Sequence, residues 1–465
     1  MIMDYKKLGF KAGIEIHQQL VGNKLFCDCP CIVHDKNPDV FFERKLRAIA
    51  GEMGKVDKAA QAEMKKDRVY KYEACKSSSC LVEYDEEPPH EMNKKALDTA
   101  LEVCLLLKMR VVDEVEFMRK TVVDGSNVSG FQRTALVGMD GYVDTSKGRV
   151  RIESLCLEEE AAKKVKEVEN GVIFRLDRLG VPLLEIATAP DIKDAEHAKE
   201  VASILGMMLR STGKVKRGIG TIRQDVNVSI KGHPRVELKG FQDLRYMVKV
   251  IETEVKRQQK DKKKESHVRK VNADGSSTFL RPMPGAARMY PETDSPSVLI
   301  DRKKLMKMKL PELIDDIVLR FEKKYKLRVD LARELVGKEV DFEKFSKLKL
   351  DNNFIAEVIV NYPKEIKKRF GLKGLKEKDF LEVLGYLLEG KITKERVLDV
   401  LVKKIKKEKI TFFKGLDDEE VEKKLKALVK KNPKAPIGGL MGDAMKLFKG
   451  KVEGKKVMEI LRKLK

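Results

Sequence analysis

A chain of 465 residues is too long for one ordinary hydrophobic core, and at about 150 residues per domain it divides into roughly three. With 42% hydrophobic and 37% charged residues it can bury real cores, which excludes a chain disordered throughout. The apolar runs fall short of the roughly 18 residues that cross a bilayer, and MIMDYKKLGFKAG lacks the apolar stretch of a signal peptide, so the expectation is a cytoplasmic protein with no membrane partner.

Against 74 acidic residues stand 97 Lys and Arg, a net charge of +23 that steers a protein toward polyanions, RNA or DNA. The composition leaves a second reading open, an ion-paired surface suited to heat or salt.

The first predicted element is GIEIHQQL, residues 13 to 20. As a strand it sets Ile14 and Ile16 on one face and Glu15, His17 and Gln19 on the other. That polar face is either a solvated sheet surface or part of a site. FCDCPC and CKSSSC follow, bringing Cys27, Cys29, Cys31, Cys75 and Cys80. A thiolate Zn²⁺ site and plain buried thiols both fit this spacing, while an odd count of seven cysteines does not suggest a disulfide framework.

Past the PPH turn, NKKALDTALEVCLLLKM is an amphipathic helix, and KGRVRIESLCL and DVNVSIKGHPRVELKG alternate as half-buried strands. A second helix, DAEHAKEVASILGMMLRSTG, opens on an Asp and stops at Gly213. Together they predict an α+β domain on an antiparallel sheet. In IESLCLEEEAAKK the acidic trio Glu158, Glu159 and Glu160 reads as the start of a helix, where the dipole favours negative charge. EVKRQQKDKKKESHVRK, residues 254 to 270, reads as a helix end followed by a solvated loop. Beyond PETDSP a succession of amphipathic helices predicts an all-helical C-terminal third, closing on a basic helix that suits RNA or a plain solvated face.

No GxxxxGK[ST] or GxGxxG phosphate cradle is present, and no GxSxG elbow. Carboxylates set into apolar runs stand out instead. Glu185 lies inside LGVPLLEIATAPDI, where a carboxylate must find a partner, shift its pKa or bind a cation. With Glu15, His17 and Glu159 it forms a hard-ligand set suited to Mg²⁺ holding ATP phosphates. Arg119, Lys120, Arg133, Arg223 and Lys239 lie in the same strand-like runs and can supply positive charge for phosphoryl transfer.

At these residues the chain resembles the B/E family of tRNA-dependent amidotransferases. GIEIHQQL, RKTVVDGSNVSGFQRT, LCLEEEAAKK, LDRLGVPLLEIATAPDI, GTIRQDVNVSI, VELKG and PGAARMYPETD follow one another in that family's order. CDCPC, YDEEPPHEMNKKALDTALE and RPMPGAARMYPETD are more similar to the archaeal E branch than to the bacterial B branch. The resemblance implies a catalytic cradle domain over 1–300, a helical domain over 301–412 and a small YqeY-like helical tail over 413–465. It implies a ligase that phosphorylates the side-chain carboxylate of Glu-tRNA(Gln) with ATP and amidates it with ammonia from an asparaginase-like partner of the D type. Carried over, the Mg²⁺ site falls on Glu15, His17, Glu159 and Glu185, and phosphate or acceptor binding on Arg119, Lys120, Gln132, Arg133, Arg223 and Lys239. The alternative is a non-catalytic tRNA-binding or scaffold protein with the same cradle. One departure is large: the branch carries an aspartyl-tRNA-synthetase-like insertion before RPMPGAARMYPETD, where this chain has only KDKKKESHVRKVNADGSS.

Overall fold

The structure is a computed structural model; it describes all residues except 1–2, 35–36, 51–53, 242, 284–287, 339, 411, 413–417, 434, 449–451, 453 and 465. The backbone divides into two compact units, Met1–Pro311 and Glu312–Lys465.

The first unit opens with β1 (Lys11–Gln19), β2 (Val40–Arg44), α1 (Lys58–Met64), β3 (Val69–Ala74) and α2 (Lys94–Leu106). Next come β4 (Arg110–Val111), β5 (Glu114–Val115), β6 (Phe117–Thr121), β7 (Phe131–Thr145), β8 (Gly148–Glu159), β9 (Lys163–Val168) and β10 (Gly171–Arg175). β11 (Pro182–Thr188), α3 (Ala195–Ser211), β12 (Ile222–Ser229), β13 (Val236–Phe241) and α4 (Met247–Lys260) follow. β14 (His267–Val271), β15 (Ser277–Pro282), β16 (Met289–Pro291), β17 (Val298–Leu299) and α5 (Arg302–Met306) complete it.

Eleven of these strands form one sheet, ordered β15-β14-β13-β12-β1-β11-β8-β7-β6-β16 with β4 on β7. Its central pairings are antiparallel, as the alternating runs predict, and β13 with β14 is parallel. Alternation decides what each face carries. Ile14 and Ile16 of β1, Leu155 and Leu157 of β8, Leu184 and Ile186 of β11, and Val226 and Val228 of β12 all enter one core, with Leu101 of α2, Leu205 of α3 and Ile251 of α4. The helices thus cover one face, and the polar positions of the same strands collect on the other.

The helix ends follow their caps. Asn93 accepts from the backbone N–H groups of Lys95 and Ala96 to start α2, and Asp194 accepts from His197 N–H to start α3. α3 ends at Ser211, with Gly213 at φ +68° beyond it. Where β7 passes beneath α2, a Cβ on Gly138 would stand 2.7 Å from Cys104 Sγ, so only glycine permits that approach. A second sheet, β2-β3-β10-β9, has its own core around Tyr70, Tyr72 and Phe174.

Three expectations need correction. Glu158 and Glu159 close β8 rather than opening a helix, because the run continues the pairing of β8 with β11, Glu159 opposite Pro182. The stretch 254–270 is α4 up to Lys260 and β14 from His267, so the solvated link between them is short. The first unit also passes residue 300, because β17 pairs with β5 and Leu305 of α5 enters the main core.

The second unit is helical among its described residues: α6 (Ile314–Tyr325), α7 (Val329–Val336), α8 (Phe342–Ser346), α9 (Asn352–Phe370), α10 (Glu377–Leu388), α11 (Val397–Lys406), α12 (Asp418–Lys431), α13 (Ile437–Phe448) and α14 (Gly454–Leu464). One apolar cluster joins α6 to α11, and a separate one around Leu425, Leu440 and Leu461 joins α12 to α14. The expected boundary at 412/413 falls against 413–417, outside the described residues. No helix among the described residues is long and apolar enough to cross a membrane.

Candidate active site

Strand register brings the polar face together. His17 of β1 stands opposite Glu185 of β11 on one side and Arg223 of β12 on the other, while Glu15 stands opposite Asp225. On β8, Glu158 is two residues from Cys156, the partner of Glu185, and so projects to the same face. Gln132 of β7 and Lys120 of β6 are opposite one another at the next step across the sheet. Glu15, His17, Lys120, Gln132, Glu158, Glu185 and Arg223 line a cavity of about 320 Å³.

Two groups of ligating atoms lie in this region, each with its atoms within 4.8 Å of one another. One is His17, Glu158 and Glu185; the other is Glu15, Asp225 and Glu237. In the first group His17 Nε2 and Glu185 Oε2 are 3.2 Å apart, and Lys120 Nζ donates to Glu158 and, at 3.4 Å, to Glu185. Gln132 Nε2 donates to Glu158 Oε2 at 3.0 Å. His17 Nδ1 is buried with no hydrogen-bond partner. The ring therefore presents one nitrogen to Glu185 and keeps the other unsatisfied, and since an unmade hydrogen bond costs about 1–3 kcal/mol, such a ring suits a site that takes a ligand. In the second group Lys239 Nζ lies 2.6 Å from Asp225 and 2.5 Å from Glu237.

The charges are held by one another. Burial opposes ionisation of Glu185, yet Lys120 and His17 outweigh it and keep this carboxyl far below the ordinary range. Burial and the Glu185 charge push Glu158 the other way, with Lys120 only partly offsetting them. Burial would lower the His17 pKa, but its bond to Glu185 holds it above the usual value. Glu15 is raised to about 7, first by burial and then by Glu185.

A pH prediction follows from Glu15. Its carboxyl is mostly protonated at pH 6 and ionised at pH 8, so a divalent cation at the second group must displace a proton at the lower pH. Mn²⁺ affinity measured by calorimetry should therefore rise with pH across this window, by up to about tenfold per unit below the pKa. Glu15→Gln should lower the affinity and flatten the slope by about one proton; an unchanged slope would remove Glu15 from the ligand set.

Glu15, His17, Glu185, Lys120, Gln132, Arg223 and Lys239 all line the cavity. Three expected residues lie elsewhere. Glu159 is on the core side of β8 because it shares the parity of Leu155 and Leu157, and Glu158 stands in the cleft instead. Arg133 has the parity of Ala135 and Val137, and its guanidinium is bonded to Glu292 Oε2 at 2.7 Å and Glu159 Oε2 at 3.3 Å. Arg119 donates to Glu292 at 2.5 Å and Asp294 at 2.8 Å. These arginines are held in ion pairs behind the site rather than facing it.

The cysteines also sort themselves. Sγ of Cys27, Cys29 and Cys80 meet a carboxylate oxygen of Glu83, whose role sequence reasoning missed. Cys27 Sγ donates to Glu83 at 3.0 Å and the Cys80 N–H donates to it at 2.8 Å. Cys31 and Cys75 stand outside this group. Cys31 is buried separately, and Cys75 Sγ is 4.0 Å from Asn37 O. Three thiols and one carboxylate form a four-ligand metal site in composition. Burial raises the Cys29 thiol to about 12, with the Glu83 charge adding to it, so metal binding here must release protons.

The open face of the sheet presents carboxylates, one imidazole and cations around one cavity, a donor set of the kind that holds a cation and phosphate oxygens. The family described as GatB/GatE catalytic domain matches residues 10–306, and the chain belongs to that family of amidotransferase subunits, ligases that form carbon–nitrogen bonds. It is 37% identical to the E subunit of the glutamyl-tRNA(Gln) amidotransferase of Methanocaldococcus jannaschii, over 100% of this chain and 99% of the relative. It is 36% identical to the proteins of the same name from Methanococcus maripaludis (100% and 99% covered) and Archaeoglobus fulgidus (99% of each). The first alignment runs over 628 positions against 465 residues here, so that relative carries a stretch this chain lacks.

Proposed function

We propose that this chain is the activating component of a tRNA-dependent amidotransferase, acting on Glu-tRNA(Gln). The γ-phosphoryl group of ATP passes to the side-chain carboxylate of the tRNA-bound glutamate, giving an acyl phosphate and ADP. Ammonia then attacks the acyl carbon, phosphate leaves and a proton is lost, and Gln-tRNA(Gln) results. The observation that carries this reading is the convergence of His17, Glu158 and Glu185 with Glu15, Asp225 and Glu237 on one face of the family's catalytic domain.

Bound there, Mg²⁺ would shield the phosphate oxygens and stabilise the charge that develops in transfer. The chain's own part is to hold the two carboxylate groups in place through strand register, and to balance them with Lys120 and Lys239. Arg223, bonded to Glu160 at 2.9 Å, is positioned at the rim of the same cavity for anionic substrate. An asparaginase-like partner of the D type, generating ammonia from glutamine, completes the reaction, and the +23 charge suits tRNA.

The test needs no partner. Supplying the chain with ammonium chloride, ATP, Mg²⁺ and Glu-tRNA(Gln) should yield Gln-tRNA(Gln) and ADP. A chain that binds the tRNA yet makes neither is the non-catalytic scaffold.

The group of Cys27, Cys29, Cys80 and Glu83 is assigned to structural Zn²⁺. Metal analysis under reducing conditions should give about one zinc per chain. Cys80→Ser should lose it and melt at a lower temperature. Absence of zinc from the purified chain would leave these residues as ordinary thiols.

A further inference from the structure

The link from α3 to β12 ends in RGIGT, residues 217 to 221, and its base is fixed from beneath. Gln18 of β1 is 2% exposed, and its amide Nε2 lies 2.9 Å from Gln19 O, 3.1 Å from Lys216 O and 3.2 Å from Thr221 O. The Lys216 N–H donates to Gln19 O and the Gln19 N–H to Thr221 O, both at 2.9 Å. Thr221 Oγ1 donates to Gly218 O at 2.8 Å and closes the turn from inside. Gly218 and Gly220 hold φ +122° and +80°, conformations costly to a residue with a side chain, although a Cβ at either would meet nothing within 4 Å. Two glycines thus serve one outcome: Ile219 between them stands 95% exposed. A single exposed apolar side chain is ordinary, but one lifted on a clamped turn is placed there.

Cations and the first cavity adjoin this tip. Lys216 and Arg217 have no ion-pair partner among the described residues, whereas Lys214 is held by Glu102. Thr221 is two residues, about 7 Å of extended chain, from Arg223 in the cavity wall. The substrate's dimensions put something at this rim. A glutamyl group reaches only roughly 5 Å from its ester carbon to its side-chain carboxylate, four carbon–carbon bonds of about 1.5 Å in zigzag. A carboxylate that reacts inside the cavity therefore leaves the terminal ribose at the mouth, with the unpaired nucleotides behind it lying over the rim. Single-stranded RNA ends are held by packing on the faces of bases and by charge on phosphates. The tip offers both, and its chain neighbours are glycines and cations rather than the apolar patch a protein partner would bury.

We propose that residues 216–220 grip the single-stranded 3′ end of the acylated tRNA at the mouth of the cavity. Ile219 packs on the face of a terminal base, and Lys216 and Arg217 donate to the phosphates beside it. Because Gln18 fixes the base of the turn to β1, the strand that carries Glu15 and His17, the grip also sets how deep the glutamyl group enters. This rests on the reading that the chain acts on Glu-tRNA(Gln).

The test is filter binding of the full-length chain to deacylated tRNA(Gln), either intact or trimmed of its unpaired 3′ nucleotides. The unmodified chain should prefer the intact form by about tenfold, the scale of one stacked base. Ile219→Ser changes an exposed side chain outside the core, so the fold should stand; the variant should lose that preference and bind the trimmed tRNA as the unmodified chain does. Lys216→Met with Arg217→Met should weaken binding of intact tRNA and make its log–log salt slope shallower by about one to two. An undiminished preference in Ile219→Ser would overturn the inference and leave the tip to a protein partner. Equal binding of the two tRNAs by the unmodified chain would overturn it as well. A chain that shows the preference yet forms no Gln-tRNA(Gln) from ammonium chloride, ATP and Glu-tRNA(Gln) would refute the catalytic reading and leave the grip standing.

Discussion

Glu185→Gln is expected to reduce ATP-dependent formation of Gln-tRNA(Gln) by about 10²–10³-fold, the range found when one preorganised electrostatic group is removed from an active site. The substitution keeps the shape of the side chain and removes its charge. One carboxylate oxygen of Glu185 meets both His17 Nε2 and Lys120 Nζ, so an amide there breaks up the group that would receive the cation. Lys120 keeps Glu158 as a partner, so the loss of stability should be smaller than that from a buried charge left wholly unpaired. Affinity for tRNA, set by surface cations elsewhere, should hold. The readout is the ratio of Gln-tRNA formed with ammonium chloride to tRNA bound in a filter assay, and wild-type activity in this variant would refute the assignment.

Much of this arrangement is legible in the sequence, and the reason is period-two alternation. GIEIHQQL carries its core residues and its cleft residues in strict order, so pattern alone places Glu15 and His17. The same rule applied to IRQDVNVS and VELKG puts Asp225 beside Arg223 and Glu237 beside Lys239, on the open face. The two acids are as visible in those runs as the two cations, although only the cations stand out when positive charge for phosphate is sought. Glu158 is hidden for a different reason. LEEEAAKK has the composition of a helix start, and local propensity suggests the wrong period; tertiary pairing with β11 keeps the run extended and exchanges the faces of Glu158 and Glu159.

Glu83 carries no such signal. Its position depends on a contact between segments far apart in the chain, Cys27 with Glu83, and no local pattern encodes that. The same holds for Glu292. Its sequence surroundings, YPETD, read as a turn, yet it anchors both Arg119 and Arg133 beneath the sheet.

That anchoring separates two adjacent glutamates and one arginine by experiment. Glu158→Gln should abolish activity to a similar extent as Glu185→Gln while leaving stability within about 1 kcal/mol, because losing its charge also relieves repulsion with Glu185. Glu159→Gln should cost about 1–2 kcal/mol, since Arg133 retains its shorter bond to Glu292. Arg133→Met leaves Glu159 and Glu292 buried without this guanidinium, and should destabilise the fold by about 3–5 kcal/mol in urea titrations. If Arg133 bound phosphate, as its place in GFQRT suggests, the same variant would unfold normally and lose nucleotide affinity. The ion pairs to Glu292 and Glu159 predict the reverse: a less stable protein in which each folded molecule still binds ATP.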